Sequence, residues 1–345
     1  MRSVVGSLAW VARQCRPDIS YEVSRGQSAQ NVATLEDLKF VNEAVRKIQQ
    51  RSDYGLTFLA GVVDWDNALM ISVTDASFAA DRDTDKAGNV KLHRSQKARM
   101  SLLTSPDLID GDKAPCHILS WASVTNKRVC ASTMQAEGHA MISGTDIGDK
   151  LRAAIASAQG LMVPSEWENS CAKAMPHLWL SDCEALVSHL KNPKDERLEN
   201  VRLSIDIASL KQRLWTDKEG EMHDDVPIAR CKDNKTNNMI RWIDTSAMCV
   251  DSLTKKMKAD SLYPVMDGYL DLTPSAESML IKLRKQKQRQ SKTAERAAQR
   301  ERDETGVNVQ EAEPHASFTS CFTTSHRSVP VGHIRKFRPI NVALG

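Results

Sequence analysis

At 345 residues the chain can hold one or two domains and bury a sizeable core, and its 41% hydrophobic and 26% charged residues are those of an ordinary globular protein. The net charge of +3 does not by itself announce a nucleic-acid binder. Nothing approaches the roughly 20 apolar residues of a membrane span. The eight cysteines show no C-x-x-C pair and no neighbouring histidine pattern, which argues against zinc and against a disulfide framework. They read as reduced thiols of an intracellular protein, in cytoplasm or nucleus. The opening SVVGSLAWVA is broken by Gly6 and Ser7 and followed by Arg13 and Arg16, so it reads as a helix and not as a secretion signal.

Residues 1–60 read as a small helical domain. Val4, Leu8, Val11 and Ala12 share one helical face before Arg16-Pro17-Asp18 breaks the pattern. A second helix fits SYEVSRGQSAQNVA. In a third, Thr34 is the cap, Asp37 follows three residues on, and Leu38, Val41, Val45 and Ile48 form a stripe. Residues 61–260 then alternate strands and helices. ALMISVTD (68–75) is a β-branched run ending in an acid, 81–95 is polar and loop-like, and ARMSLLT and CHILSWAS are further strands. A long helix follows, capped by Ser132 or Thr133. HLWLSD (177–182) is another strand ending in an acid, with a helix starting at once after it. The next helix places Val201, Ile205, Ala208 and Leu214 near one stripe; VPIARCK and NMIRWID are candidate strands, and TSAMCVDSLTKKM is a closing helix capped by Thr245 or Ser246. This order predicts an α/β fold, a mixed five-stranded sheet flanked by helices. Residues 261–345 read as a basic helical extension and a disordered tail, with nine Lys or Arg between 281 and 304.

Four acids stand where a sheet enzyme exposes side chains. Asp75 and Asp182 end strands, Glu137 lies one turn into a helix, and Asp251 lies on the closing segment. Singly, each is the kind of residue that caps helices or forms turns. Convergent, they would repel one another, and two Mg²⁺ (or Mn²⁺) ions would resolve the conflict.

The local strings add specificity. VTDASFAAD (73–81), LSWAS (119–123), KRVCASTMQAEGHAM (127–141), LSDCEALVSHLKNP (180–193) and IRWIDTSAMCVDSLTKKM (240–257) resemble, in order, the motifs of copia-type retrotransposon ribonuclease H domains. RSVVGSLAWVARQCRPDISYEVS (2–24) and DYGLTF (53–58) look like the segment joining polymerase and nuclease in those polyproteins. The resemblance spans about residues 2–257 and implies a ribonuclease H-like domain at 61–260, preceded by a remnant of the reverse transcriptase thumb or connection. It implies Asp75, Glu137, Asp182 and Asp251 as both the catalytic and the metal-binding residues, two Mg²⁺ or Mn²⁺ ions, and an RNA–DNA hybrid as substrate. The chain departs from the family at Phe78, Gly138, Cys183-Glu184, Ser204 and Leu210, and it lacks the polymerase Tyr-x-Asp-Asp centre.

Two rivals stand beside the nuclease expectation. One is a non-catalytic, retrotransposon-derived binding or scaffold protein; the other binds nucleic acid through the basic segment 282–302. His139 has a substrate-touching and an ordinary packed reading. For Trp121, Trp179 and Trp242 core packing is the expectation. Oligomeric state is open.

Overall fold

The computed structural model describes residues 1–84, 90–109, 111–192, 198, 200–215, 228–229 and 237–278, with scattered residues from 280 to 293. Met1–Lys287 form one compact unit; Gln288–Gly345 form a second, nearly all of it outside the described residues, as are most of the basic segment 282–302 and the whole tail beyond 304.

The chain begins with three helices, α1 (Arg2–Gln14), α2 (Ser20–Ala29) and α3 (Leu35–Gln50), with a 3₁₀ turn at Pro17–Ile19. Their small core is Val5, Leu8, Ala12, Ile19, Val23, Val41 and Ala44. Thr34 starts α3 with the expected capping box: its hydroxyl accepts the Asp37 N–H while the Asp37 carboxylate accepts the Thr34 N–H. At the 3₁₀ turn the Arg16 guanidinium meets the Asp18 carboxylate twice, at 2.8 and 2.9 Å, with both side chains buried.

The sheet contains β1 (Leu69–Thr84), β2 (Val90–Thr104), β3 (Lys113–Thr125), β4 (His177–Ser181), β5 (Ile228–Ala229), β6 (Asn238–Trp242) and β7 (Tyr269–Asp271). Their order is β5-β6-β4-β1-β2-β3-β7. β1, β4 and β6 run parallel, and the other neighbours pair antiparallel. Among the described residues seven strands replace the five expected: of the candidate VPIARCK only the two-residue β5 pairs, and β7, three residues long, is too short to carry a period-2 signal. Alternation along β1 sends Leu69, Ile71 and Val73 into one core and Met70, Ser72 and Thr74 to the opposite face.

The first face is covered by the closing segment, through Ile243, Met248, Val250, Leu253, Leu262 and Met266. Helices α4 (Thr133–Ala158), α6 (Glu184–Lys191) and α7 (Val201–Leu214) cover the other, with Met141, Trp179, Leu186, Leu203, Leu210 and Ile240 between them. α5 (Trp167–Ala174) leads into β4, and the single turn α8 (Tyr263–Met266) into β7. Gly144 lets α4 lie close on the sheet, since a Cβ there would sit 2.3 Å from Thr74 Cγ2.

Four local expectations are corrected. Residues 81–84 and 90–95 are strand, not loop, because backbone pairing extends the β1–β2 hairpin without needing apolar side chains. The α7 stripe is Leu203, Ile207, Leu210 and Leu214, while Val201 and Ile205 face solvent: the i, i+4, i+7 series is the one that meets α4 and α6. The closing segment is no α-helix but two 3₁₀ turns, Thr245–Ala247 and Asp251–Leu253, the first capped by Asp244. Met248, Cys249 and Val250 are buried in succession, which a one-sided helix does not permit. Finally, the boundary expected at 260–261 falls inside the core, since Leu262, Val265, Met266, Leu270 and Leu272 all pack beneath the sheet.

Candidate metal centre

Strand pairing explains how two acids meet. Val73 pairs with Leu180 in parallel register, and the same register two residues on sets Asp75 beside Asp182. Both follow the parity of the first core (Leu69, Ile71, Val73 on β1; Leu178, Leu180 on β4), the face over which the closing segment brings Asp251. One carboxylate oxygen from each of Asp75, Asp182 and Asp251 lies within 4.8 Å of the others. Asp75 and Asp251 are buried and Asp182 is half-buried.

Glu137 approaches from the α4 side and stands outside that group of three. Its Oε1 accepts the Ala76 N–H at 3.2 Å, and its buried Oε2 has no hydrogen-bond partner among the described residues. Three of the four expected acids are therefore brought directly together, and the fourth is fastened to the backbone next to the first. A buried carboxylate oxygen without a donor is costly unless something cationic completes it.

The protein's own compensation is partial. The Thr254 hydroxyl donates to the Asp75 carboxylate, the Thr245 hydroxyl donates to Asp182 Oδ2 at 2.9 Å, and Lys255 Nζ lies 2.9 Å from Asp251 Oδ1. Burial, then the charge of Asp251, pushes Asp75 up to about 7 despite the Thr254 bond. Burial, then Asp75 and Asp182, holds Glu137 well above the carboxylate range. Burial also raises Asp182, against the Thr245 bond. For Lys255 burial opposes the charge, but the neighbouring carboxylates outweigh it and raise its pKa.

The donor set is all oxygen. Cys183 adjoins Asp182, but burial pushes its thiol to about 11, so it stays neutral. His139 is buried and tied elsewhere, its Nε2 3.1 Å from Asp206 and its Nδ1 2.9 Å from Asn126. Trp179 is wholly buried, and the indoles of Trp121 and Trp242 donate to the carbonyls of Ala12 and Asp182. Thr254 and Lys255 were missed as site residues, although both stand in the string 240–257 that marked Asp251. No helix among the described residues is long and apolar enough to cross a membrane.

No protein-family model and no curated protein matches the chain. Two solved structures are similar. An N-terminal RNase H domain from Mycobacterium tuberculosis, fused to maltose-binding protein, is 10% identical over 62% of this chain and 99% of that one, with a TM-score of 0.28. A foamy viral protease–reverse transcriptase in complex with RNA/DNA hybrid is 12% identical over 60% of this chain, with a TM-score of 0.28. This chain spans 21% of its length. Likenesses this distant add no weight to the geometry.

Proposed function

We propose that the chain is a ribonuclease H-type endonuclease that cleaves the RNA strand of RNA–DNA hybrids, derived from a copia-like retrotransposon polyprotein. The convergence of Asp75, Asp182 and Asp251, with Glu137 beside them, carries this reading. The residues fit divalent cations: every donor is a hard oxygen, and Glu137 Oε2 is buried with no hydrogen-bond partner among the described residues. Asp75, Asp182, Asp251 and Glu137 would hold two Mg²⁺ or Mn²⁺ ions. When bound, such ions supply an activated water and charge stabilisation at a phosphodiester.

The chain's own residues do the rest. Thr254 and Thr245 orient the Asp75 and Asp182 carboxylates by hydrogen bonds, leaving the second oxygen of each to a ligand. Glu137 is anchored at one oxygen and free at the other, which suits it to a ligand or to holding a proton. Lys255, about half exposed beside Asp251, adds positive charge where a phosphate backbone would pass. Recognition of backbone shape and 2′-hydroxyls predicts little sequence preference.

The test is cleavage of a labelled hybrid with Mg²⁺. Asp75→Asn and Asp251→Asn should each lose at least about a hundredfold in rate, as loss of a transition-state charge ligand does. Equal activity in Asp75→Asn would refute the assignment. The basic segment 282–302 is proposed as a further, salt-sensitive nucleic-acid contact. The altered motif residues Phe78, Gly138 and Cys183 favour a second reading, a non-catalytic descendant. That protein would bind hybrid without Mg²⁺ and leave it uncut.

A further inference from the structure

A chain of buried and part-buried hydrogen bonds runs from the N-terminal helices to the acidic site. Gln96 on β2 is fully buried, and its amide donates to Ser24 Oγ on α2 and to Ser123 Oγ on β3, both at 2.8 Å. Thr125 fixes the other end of that amide by donating to Gln96 Oε1 at 3.2 Å. Ser123 in turn donates to the Leu253 carbonyl at 2.5 Å. That carbonyl shares a peptide plane with the Thr254 N–H, which donates to the Asp251 carbonyl at 3.1 Å. Thr254 then donates its hydroxyl hydrogen bond to the Asp75 carboxylate; the Asp251 carbonyl, 3.0 Å away, is the weaker, uncharged acceptor. The turn that carries Asp251 thus has its peptide orientation set from the far side of the sheet edge.

We propose that Ser24, Gln96 and Ser123 are positioning residues, which hold the Asp251–Thr254 turn in the orientation that lets Asp251 and Asp75 share a divalent cation. The proposal rests on reading the acids as a cation site. Its reason is geometric. A 3₁₀ turn of three residues has few hydrogen bonds of its own and would rotate readily, and rotation of the Leu253–Thr254 peptide would move the Thr254 hydroxyl off Asp75. Around the relay the N-terminal helices and the Tyr54 segment that follows them grip the closing segment elsewhere. The Pro17–Ile19 turn and α2 pack on the Asp251 turn, Tyr54 donates to the Tyr263 carbonyl at 3.1 Å, and Lys256 pairs with Glu43 at 2.7 Å. The N-terminal helices thereby become part of the site's support.

The experiment measures Mn²⁺ affinity of the full chain by electron paramagnetic resonance, with hybrid cleavage alongside. Ser123→Ala and Ser24→Ala should each weaken Mn²⁺ binding by roughly two- to tenfold, the worth of one hydrogen bond. In cleavage they should lower kcat and leave KM for hybrid unchanged, since neither touches substrate. Ser123→Thr, which keeps the hydroxyl, should restore both. Unaltered Mn²⁺ affinity in both alanine variants, with loss in Asp75→Asn, would overturn this inference alone. Absence of Mn²⁺ binding in the unsubstituted chain, or Mn²⁺ binding untouched by Asp75→Asn, would overturn the nuclease reading and this one with it.

Discussion

Replacing Asp75 by Asn removes a strained charge of the site while keeping its shape. The carboxyl is lifted from the usual 3.8 to about 7, chiefly by burial and then by Asp251. Ionising it inside the fold therefore costs on the order of 4 kcal/mol relative to the unfolded chain. The sign follows from proton counting. Between about pH 4 and pH 7 the folded protein holds a proton that the unfolded chain has lost, so stability falls as pH rises through that window and levels off above it. His177 works against this: burial holds its pKa down, so its contribution is full above about 6.5, where the unfolded imidazole is neutral, and is lost as pH falls. The measurement must therefore be the difference between Asp75→Asn and the unsubstituted chain, in which the imidazole cancels. In chelator, urea unfolding should show that difference growing from pH 4 to pH 8 in favour of the asparagine variant, by about 2–4 kcal/mol once the neighbouring acids relax. Saturating Mn²⁺ should reverse the order, because an ion bound only to the folded state stabilises by mass action and the variant has lost a ligand. A difference that stays flat within about 0.5 kcal/mol from pH 4 to pH 8 would refute both the burial and the charge-crowding argument, since that is the limit of additive error.

Further expectations are narrower. Gly144→Ala puts a Cβ 2.3 Å from Thr74 Cγ2, so α4 must shift; it should cost about 1–3 kcal/mol in urea unfolding, whereas Gly6→Ala in α1, where nothing lies within 4 Å, should stabilise by about 0.5–1 kcal/mol. Asp18→Asn leaves the Arg16 guanidinium buried beside a neutral amide and should cost about 3–5 kcal/mol by the same measurement, much of it recovered in the double variant Arg16→Met, Asp18→Leu. Thr254→Val should raise the apparent pKa of Asp75 further, moving the acid limb of any cleavage profile to higher pH, while Thr254→Ser should leave it in place.

What was legible in the sequence was whatever rests on short-range signals. The Thr34 and Ser132 caps, the apolar run before Asp75 and the Leu178, Trp179 and Leu180 core of β4 before Asp182 each express a rule that operates within a few residues. What escaped depends on partners far along the chain. Nothing local shows that 81–84 and 90–95 pair as strands, because the partner strand supplies their hydrogen bonds. The two 3₁₀ turns of 245–253 look helical by spacing; Met248, Cys249 and Val250 are all buried in the core beneath the sheet, and the N-terminal elements pack on the Asp251–Leu253 turn that follows. The site divides the same way. Its acids were found from motif strings, whereas the roles of Thr245 and Thr254 follow from bonds spanning 63 and 179 residues.

Charge balance decides what such a site is for. A purely structural carboxylate network would be expected to meet each acid with a donor, because an unmatched buried charge is not retained cheaply. Among the described residues the four carboxylates meet the hydroxyls of Thr254 and Thr245, the Ala76 N–H and the ammonium of Lys255, itself about half exposed, and Glu137 Oε2 receives nothing. Fully ionised, the cluster exceeds its nearest positive charge by three. Protonation is one remedy, and the raised pKa values of Asp75, Glu137 and Asp182 show the fold leaning on it. Divalent ions, as proposed above, would be the other, and they would turn the deficit into a function, since each neutralised oxygen would become a ligand bond. The support given to Asp251 through Leu253 and Thr254 points the same way: a network that only needed protons would gain nothing from a turn held in one fixed orientation.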